Sequence, residues 1–194
     1  MNGILLSMTE ILKAIRFGNP ILREKTRILT PDEILGEEIQ GLIRNMRHTL
    51  IQRQYGVGLA APQVGESVAL SVIDIRPTDL RPDLEPFSSV IINPEIIETY
   101  GYRKQKWEGC ISCGTGDDTL YAKVPRYKSI KLRWFDEQAK SREEVLDGLV
   151  AHVAQHEVDH LNGILFVDRV KDTSSYMMAD EYRERVVLKN KNPL

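Results

Sequence analysis

The sequence contains little cysteine: Cys110 and Cys113 are the only two cysteines among its 194 residues. Two cysteines cannot form the several disulfide bonds that hold a small secreted scaffold together, so that class of protein is excluded. Any role of the two thiols is therefore expected to be chemical.

The chain also lacks an excess of either charge, since 26 basic and 28 acidic residues leave a formal net charge of −2. This balance does not favour nucleic-acid binding by bulk charge. No stretch approaches the roughly 20 apolar residues of a membrane span, and the first residues lack the basic start and apolar core of a signal peptide. We therefore expect no membrane partner and a cytoplasmic location in a bacterium, or an organellar one in a eukaryote.

The order of helical and strand patterns predicts the fold class. Thr30 and Glu33 form a capping-box pattern around Pro31, and apolar residues then recur at helical spacing to about Gln54. Further helices are predicted from about Asp147 to Leu161 and from about Ser174 to Lys189. Strands are predicted at Val68–Ile75, Val90–Asn93, Ile96–Tyr102, Lys106–Ser112, Tyr121–Val124 and Ile130–Phe135. Strands in one block favour an α+β fold with mainly antiparallel pairing around the Asp147–Leu161 helix, flanked by an N-terminal and a C-terminal helix.

The motif that carries chemistry is His156-Glu157-Val158-Asp159-His160, an HExxH pattern within the Asp147–Leu161 helix. The four-residue spacing puts both histidines on one helix face, where two imidazoles can hold one metal ion beside an acid/base glutamate. The preceding residues are mostly apolar, which indicates a buried helix. A solvated helix with incidental histidines fits that apolar approach poorly.

Cys110 is the best candidate for a third metal ligand, because it ends a strand-like segment and a thiolate suits Zn(II) or Fe(II). Cys113 completes a CxxC pattern, which leaves three alternatives open: half of a zinc ribbon, a redox dithiol, or a closed Cys2His2 metal site. The first lacks a second CxxC, the second lacks a βαβ context, and the third would leave Glu157 without a role. We favour Cys113 as a neighbour of the site.

A third pattern, Gly56-Val57-Gly58-Leu59-Ala60-Ala61-Pro62-Gln63, is rich in small residues that allow close backbone approach. It lacks the features of a phosphate-binding loop. The amide of Gln63 could donate to a substrate oxygen.

Taken together, GVGLAAPQ, EGCIS and QHEVDH, in this order, resemble the three motifs of the peptide deformylase family. The resemblance extends from about Phe17 to Arg169 and implies one catalytic domain over residues 1–194, with an N-terminal extension at 1–15 and a C-terminal helix at 174–189. It implies an enzyme that removes the formyl group from the N-terminal formyl-methionine of nascent polypeptides. The N-formylmethionyl peptide is then the substrate, and the ribosome is a candidate partner through the C-terminal helix.

The resemblance also implies roles for individual residues. Cys110, His156 and His160 would hold one divalent metal, natively Fe(II), with Zn(II), Ni(II) or Co(II) as alternatives. Glu157 would act as general acid/base while a metal-bound hydroxide attacks the formyl carbon. The Gln63 amide and the backbone N–H of Ile111 would stabilise the oxyanion.

Further residues are assigned to the substrate pocket and its support. Val57, Leu149 and Val153 would line the methionine pocket, and Gly58 would let the peptide backbone approach closely. Glu108 and Arg126 resemble the family's ion pair, which we expect to be buried, although a surface pair is the alternative.

The chain departs from the family pattern at three places. Ile111 replaces the commoner leucine, and the stretch from Cys113 to Leu120 is longer and more acidic than usual. His152 extends the histidine stripe by one helical turn. It could be a wall of the pocket, a core histidine with its hydrogen bonds satisfied, or a further metal ligand or proton relay.

Two other functions compete with deformylation. A zincin-type endopeptidase would need a third ligand downstream of His160, and the glutamates Glu181 and Glu184 fall in a separate helix without the required pattern. A deformylase-like protein with a non-methionine formyl substrate, or a non-catalytic formyl-peptide binder, is the second alternative.

Overall fold

The structure is a computed structural model that describes residues 9–52, 56–78 and 82–188. The helices are α1 (Pro31–Leu35), α2 (Glu37–Gln52), α3 (Gly148–Leu161), α4 (Phe166–Arg169) and α5 (Ala179–Tyr182), the last continued by a π-helical segment, Arg183–Leu188. The strands are β1 (Gly58–Ala60), β2 (Leu70–Ile75), β3 (Phe87–Gly109), β4 (Leu120–Phe135), β5 (Ser141–Asp147) and β6 (Met177–Met178).

In the described part of the chain these six strands form one sheet in the order β1-β2-β3-β4-β5, and β6 pairs with β4. Every strand pairing in it is antiparallel. The α+β fold class predicted from the sequence is confirmed.

Successive side chains of a strand point to opposite faces of the sheet, so the core has one part packed on α2 and another packed on α3. Val72 packs in a cluster with residues of α2, whereas its neighbour Ile73 packs in a cluster with residues of α3. Helix α3, which carries the HExxH motif, contacts β1, β2, β3, β4 and β5.

The predicted N-terminal helix is two helices. The capping box of Thr30 and Glu33 is present, with the Thr30 N–H 2.7 Å from a Glu33 carboxylate oxygen. Gly36, however, is extended at ψ 149° and separates the two helices. A glycine loses more conformational entropy in a helix than any other residue, which favours a break at this position. The predicted end near Gln54 lies outside the described residues, as do residues 1–8 of the predicted extension.

The sequence predicted several short strands where the structure has two long, continuous ones. Three of the predicted segments fall in one 23-residue strand, β3, which passes through Pro94 and Gly101 by shifts in its pairing with β4. The strand ends at Gly109, and the predicted end at Ser112 lies in a 3-10 turn. Asn93 supports the first shift at φ 50°, with its side-chain amide hydrogen-bonded to both backbone groups of Leu29. The last two predicted strands likewise join through Pro125 in β4.

Strands β1 and β5 were missed. β5 is an edge strand whose residues are nearly all exposed, so it lacks the alternation by which a strand is recognised. The predicted helix from Ser174 was also wrong over its first five residues. A 3-10 turn at Thr173–Ser175, capped by Asp172, leads into β6, and the helical segment begins at Ala179. Lys189 lies outside the described residues.

Candidate metal centre and active site

Three side chains from β3 and α3 converge at the centre of the fold. Helix α3 places His156 and His160 one turn apart, with ring centroids 4.9 Å apart. The end of β3 delivers Cys110, whose Sγ lies 3.3 Å from His160 Nε2. One ligand atom of each residue lies within 4.8 Å of the others, and this is the only such group of three found among the described residues. The donor set suits a metal such as Zn(II) or Fe(II).

Glu108 fixes the orientation of one of these histidines. Its carboxylate lies 2.8 Å from His156 Nδ1, which leaves the Nε2 atom of that ring for the metal group. Arg126 binds the same carboxylate through two hydrogen bonds of 2.7 and 3.0 Å, and both side chains are buried. The two residues form a buried pair, one of the two arrangements considered from the sequence.

The network continues to two residues that sequence reasoning missed. Arg126 also donates to Asp159, and Arg169 in α4 donates to the same carboxylate at 2.6 and 3.1 Å. Asp159 occupies the position before the second histidine of HExxH. Its acidic side chain on a buried helix was the signal that a basic partner must be nearby.

Burial and hydrogen bonding set the protonation of this cluster. Burial alone would raise the pKa of Glu108, but hydrogen bonds from His152, His156 and Arg126 outweigh it and hold that pKa well below its ordinary value. Burial lowers the pKa of His160 well below its ordinary value, assisted by the charges of His156 and Arg126. A neutral imidazole is the form that binds a metal.

Glu157 lies beside the metal group and is only 2% exposed. Burial is the main reason that its pKa is raised to about 7. Strand β1 covers its carboxylate so closely that a Cβ atom on Gly58 would overlap Glu157 Oε1. Among the described residues, Glu157 Oε2 has no hydrogen-bond partner.

The Gln63 amide is held in one orientation. Its Oε1 accepts the Ala60 N–H at 2.8 Å, which directs Nε2 toward Cys110 Sγ at 3.3 Å and Ser112 Oγ at 3.4 Å. Ile111 begins the 3-10 turn that follows Cys110, so its backbone lies beside the same group.

The N-terminal segment supports both motif loops. The Ile15 N–H donates to the Gln63 carbonyl at 2.8 Å, and the Phe17 N–H donates to the Ser112 carbonyl at 2.7 Å. The hydrogen bond of Ile15, the last residue of the predicted extension, fixes that end of the extension against the Gln63 loop.

A cleft of about 250 Å³ opens over these side chains. It is lined by every residue that we assigned to substrate binding, namely Val57, Gly58, Gln63, Ile111, Leu149, His152 and Val153. Cys110, His156, Glu157 and Glu108 also line it. The three sequence motifs therefore meet at one cavity.

Of the roles considered for His152 from the sequence, its position agrees with a wall of the pocket, and its hydrogen bonds are not all satisfied among the described residues. It lines the cleft, and its Nε2 lies 2.8 Å from Glu108 Oε1. It is not part of the three-residue metal group. Its Nδ1 is buried and has no partner among the described residues.

Cys113 is adjacent to the metal group and not part of it. It packs against a buried cluster that contains Cys110, and both cysteines are free thiols. A hydrogen bond between the two thiols, together with burial, raises the pKa of Cys110 well above its ordinary value.

An aromatic group on one side of the cleft was not predicted. Trp107, Tyr121 and Tyr182 line the same cavity as the metal group. Tyr182 comes from α5, near the end of the described chain, and no motif pointed to it.

An HExxH helix beside a buried cysteine, with a buried glutamate facing a cleft, is the arrangement expected of a metal-dependent hydrolase. A sequence model of the polypeptide deformylase family matches residues 11–176. The chain is 34% identical over 185 residues to peptide deformylase 2 of a Nostoc species, covering 94% of this chain and 98% of that protein. It is 38% identical over 168 residues to peptide deformylase of Aquifex aeolicus, covering 87% and 92%.

Solved structures agree with these relatives. A Met-Ala-Ser-bound class I type b peptide deformylase from Acinetobacter baumannii has a TM-score of 0.77 and 34% identity, covering 84% of this chain and all of that one. An actinonin complex of peptide deformylase from Synechococcus elongatus has a TM-score of 0.73 and 35% identity, covering 92% and 87%. The chain belongs to the polypeptide deformylase family.

Members of this family are metalloenzymes that release formate from nascent peptides, and the three-residue group is a candidate metal site. The alternative of a changed substrate or a non-catalytic binder is not favoured. In the residues that the structure describes, no helix combines the length and apolar character needed to cross a membrane.

Proposed function

We propose that this chain hydrolyses the formyl group of N-formylmethionyl peptides, with one divalent metal held by Cys110, His156 and His160. The observation that carries the proposal is the convergence of these three ligand atoms within 4.8 Å, beside the buried Glu157. The fixed Nδ1 of His156 and the neutral ring of His160 support the same ligand set. The family resemblance points to Fe(II) as the native metal, and a set of one thiolate and two imidazoles also suits Zn(II), Ni(II) or Co(II).

When bound, the metal would make a water molecule more acidic and polarise the formyl oxygen. Glu157 accepts a proton from the attacking water and delivers it to the nitrogen of the leaving peptide. Water is thereby added across the formyl C–N bond, which releases formate and a free amino terminus. The tight cover of β1 over Glu157 keeps its carboxylate next to the reacting atoms.

Gln63 and Ile111 supply the oxyanion donors in this proposal. The Ala60 N–H fixes the Gln63 amide, so its Nε2 is aimed before substrate binds. The backbone N–H of Ile111 is the second donor, positioned by the turn after Cys110.

Substrate binding would extend the sheet. β1 lies at one end of the strand order, beside the cleft, so a peptide can pair with its open edge as an added strand. The first side chain would then enter the pocket of Val57, Leu149 and Val153, with His152 as its polar wall. This pocket suits methionine, whose flexible thioether fills apolar space.

We propose further that residues 1–194 form one catalytic domain, because α3 contacts strands β1 to β5 of the sheet. The substrate class places the activity where nascent chains are made, in the bacterial cytoplasm or in a translating organelle. Ribosome binding through the C-terminal helical segment stays a prediction.

Formate release from formyl-Met-Ala-Ser, compared with acetate release from acetyl-Met-Ala-Ser, tests the proposed function. The protein would be loaded anaerobically with Fe(II), Ni(II) or Co(II) in turn. We expect formate release and little acetate release, because the extra methyl group must fit at the metal. Absence of formate release with all three metals would contradict the proposal.

A further inference from the structure

Three aromatic rings form a cluster on one side of the cleft. The rings of Tyr121 and Tyr182 are stacked, with centroids 4.3 Å apart and planes at 4°. Trp107 meets Tyr182 edge to face, with centroids 5.4 Å apart. All three rings are half-buried and line the cavity that holds the metal group. We call Trp107, Tyr121 and Tyr182 the aromatic cluster.

The cluster is built by segments outside the three motifs. Tyr182 lies beyond residue 176, where the match to the family ends. The pairing of β6 with the start of β4 brings α5 to the cleft. The exposed ion pair of Asp117 and Arg183, the residue that follows α5, lies at 2.7 Å and ties this part of the chain to the acidic stretch after Cys113. These contacts hold Tyr182 beside Tyr121 at this wall of the cleft.

The cluster lies on the face of the sheet that points away from α3. Glu108 faces α3, since it binds His152 and His156. Side chains alternate along a strand, so Trp107 and Gly109 face the other way. Tyr121 pairs with Gly109, and a Cβ atom on Gly109 would lie 2.8 Å from its ring. The pocket for the first side chain, lined by α3 residues, and the aromatic cluster are thus on opposite faces.

An extended peptide bound between these faces directs successive side chains to opposite sides. If the first side chain enters the pocket of α3 residues, the second points toward the aromatic cluster. We propose that the aromatic cluster binds the side chain of the second substrate residue and favours an aromatic one. This inference rests on the proposed function and adds a specificity determinant to it.

The physical basis is contact between aromatic rings at a half-buried site. An aromatic side chain in the cleft can stack on, or meet edge to face, the rings of Trp107 and Tyr182, which adds to the apolar area that it buries. Alanine at the same position offers one methyl group. We therefore expect the second residue to alter kcat/KM by about tenfold between phenylalanine and alanine.

The test compares kcat/KM for formyl-Met-Phe-Ser and formyl-Met-Ala-Ser in the metal-loaded protein. The ratio of the two values is used because it does not depend on the fraction of active protein. It should be about ten in the unmodified chain and fall to about three or less in Tyr182→Ala. Tyr182→Phe retains the ring and should retain the ratio.

Tyr102→Ala is the matched control. Tyr102 is an exposed tyrosine of β3, outside the cleft, and has Lys104 over its ring much as Lys123 lies over Trp107. Its substitution should leave the ratio unchanged. A ratio near one in the unmodified chain, or an unchanged ratio in Tyr182→Ala, would overturn the inference.

Failure of the proposed function is a separate result, in which neither peptide releases formate. The products Met-Phe-Ser and Met-Ala-Ser then test the cluster without turnover, by titration calorimetry. Tighter binding of Met-Phe-Ser that is lost in Tyr182→Ala supports the cluster as a binding site. Equal affinities of the two peptides contradict it.

Discussion

Gly58 lies against the Glu157 side chain, and a Cβ atom on Gly58 would be only 2.2 Å from Glu157 Oε1. The overlap places the backbone of β1 directly against the buried carboxylate. The sequence suggested that Gly58 lets a substrate approach, whereas the contact that excludes a side chain at this position is with the glutamate of the HExxH motif.

The first prediction follows from this contact. In Gly58→Ala the new methyl group displaces the Glu157 carboxylate, so kcat/KM for formyl-Met-Ala-Ser should fall by about 10²-fold, within the contribution of general acid–base groups. Metal content should be unchanged, because no ligand moves. Steady-state kinetics and elemental analysis of the same sample measure both.

Gly41→Ala is the control. A Cβ atom on Gly41, in the middle of α2, would make only an ordinary contact of 3.6 Å with Arg44. This substitution should leave kcat/KM unchanged and stabilise the fold by about 0.5–1 kcal/mol. Full activity in Gly58→Ala would show that Glu157 is not confined as described.

A second prediction concerns Glu108, whose carboxylate accepts hydrogen bonds from Arg126 and contacts His152 and His156. Glu108→Ala leaves a buried guanidinium partly uncompensated, which should lower the free energy of unfolding by about 3–5 kcal/mol. It also releases His156, so metal affinity should weaken by about 10–100-fold. Urea denaturation and competition with a chelator measure the two effects.

Glu143→Ala provides the comparison, because Glu143 pairs with Lys131 and Arg133 on an exposed edge strand. It should change neither stability nor metal affinity measurably. If the two glutamate variants behaved alike, the structural importance of the Glu108–Arg126 pair would be refuted.

A third prediction distinguishes the acceptor role of Gln63 Oε1 from the donor role of Gln63 Nε2. Gln63→Glu keeps an acceptor for the Ala60 N–H but removes the Nε2 donor. We expect kcat to fall by about 10²–10³-fold, as for the loss of one oxyanion donor. Gln138→Glu, an equivalent change at an exposed turn, should have no effect on kcat. A Gln63→Glu enzyme with unchanged kcat would remove this residue from the proposed mechanism.

A fourth prediction concerns pH and the contact between Asp168 and Arg23. Burial raises the pKa of Asp168, but hydrogen bonds from Arg23 and the Leu165 N–H outweigh it, so the pKa is below its ordinary value of 3.8. A depressed pKa in the folded state contributes stability above about pH 3.8 that is lost as the pH falls through the lower, folded value. Because the pair is partly exposed, the contribution should be less than about 1 kcal/mol.

The measurement is the stability difference between the unmodified chain and Asp168→Asn across pH 2.5–7. The difference should be constant above pH 5 and shrink in acid. A difference that is independent of pH down to 2.5 would mean that the Asp168 carboxylate is not responsible.

Local sequence patterns were sufficient for the features that depend on local spacing. The four-residue spacing of His156 and His160 determines their common helix face, and the structure shows that face directed at Cys110. The capping box of Thr30 and Glu33 is equally local. Cys110 was a candidate ligand from its chemistry and its place after a strand-like segment, but only the resemblance named it together with His156, which is 46 residues away in the sequence.

Features that arise from tertiary contact could not be predicted in this way. Pro94 and Gly101 are signals for strand ends, yet pairing with β4 carries β3 through both of them. The contacts of Asp159 with Arg126 and Arg169 depend on how α3, β4 and α4 meet. Tyr182 reaches the cleft because β6 pairs with β4, within a segment whose pattern indicated only a helix.

The most direct test of the account uses Glu157→Gln and the unmodified chain, both loaded with Ni(II). Glutamine retains the size of the side chain but cannot take up the proton, while Cys110, His156 and His160 are untouched. We predict about one Ni(II) per chain in both proteins and a fall in kcat/KM for formyl-Met-Ala-Ser of at least about 10²-fold in Glu157→Gln. Equal activity in the two proteins, or loss of the metal from Glu157→Gln, would contradict the assignment of proton transfer to Glu157 and of metal binding to the other three residues.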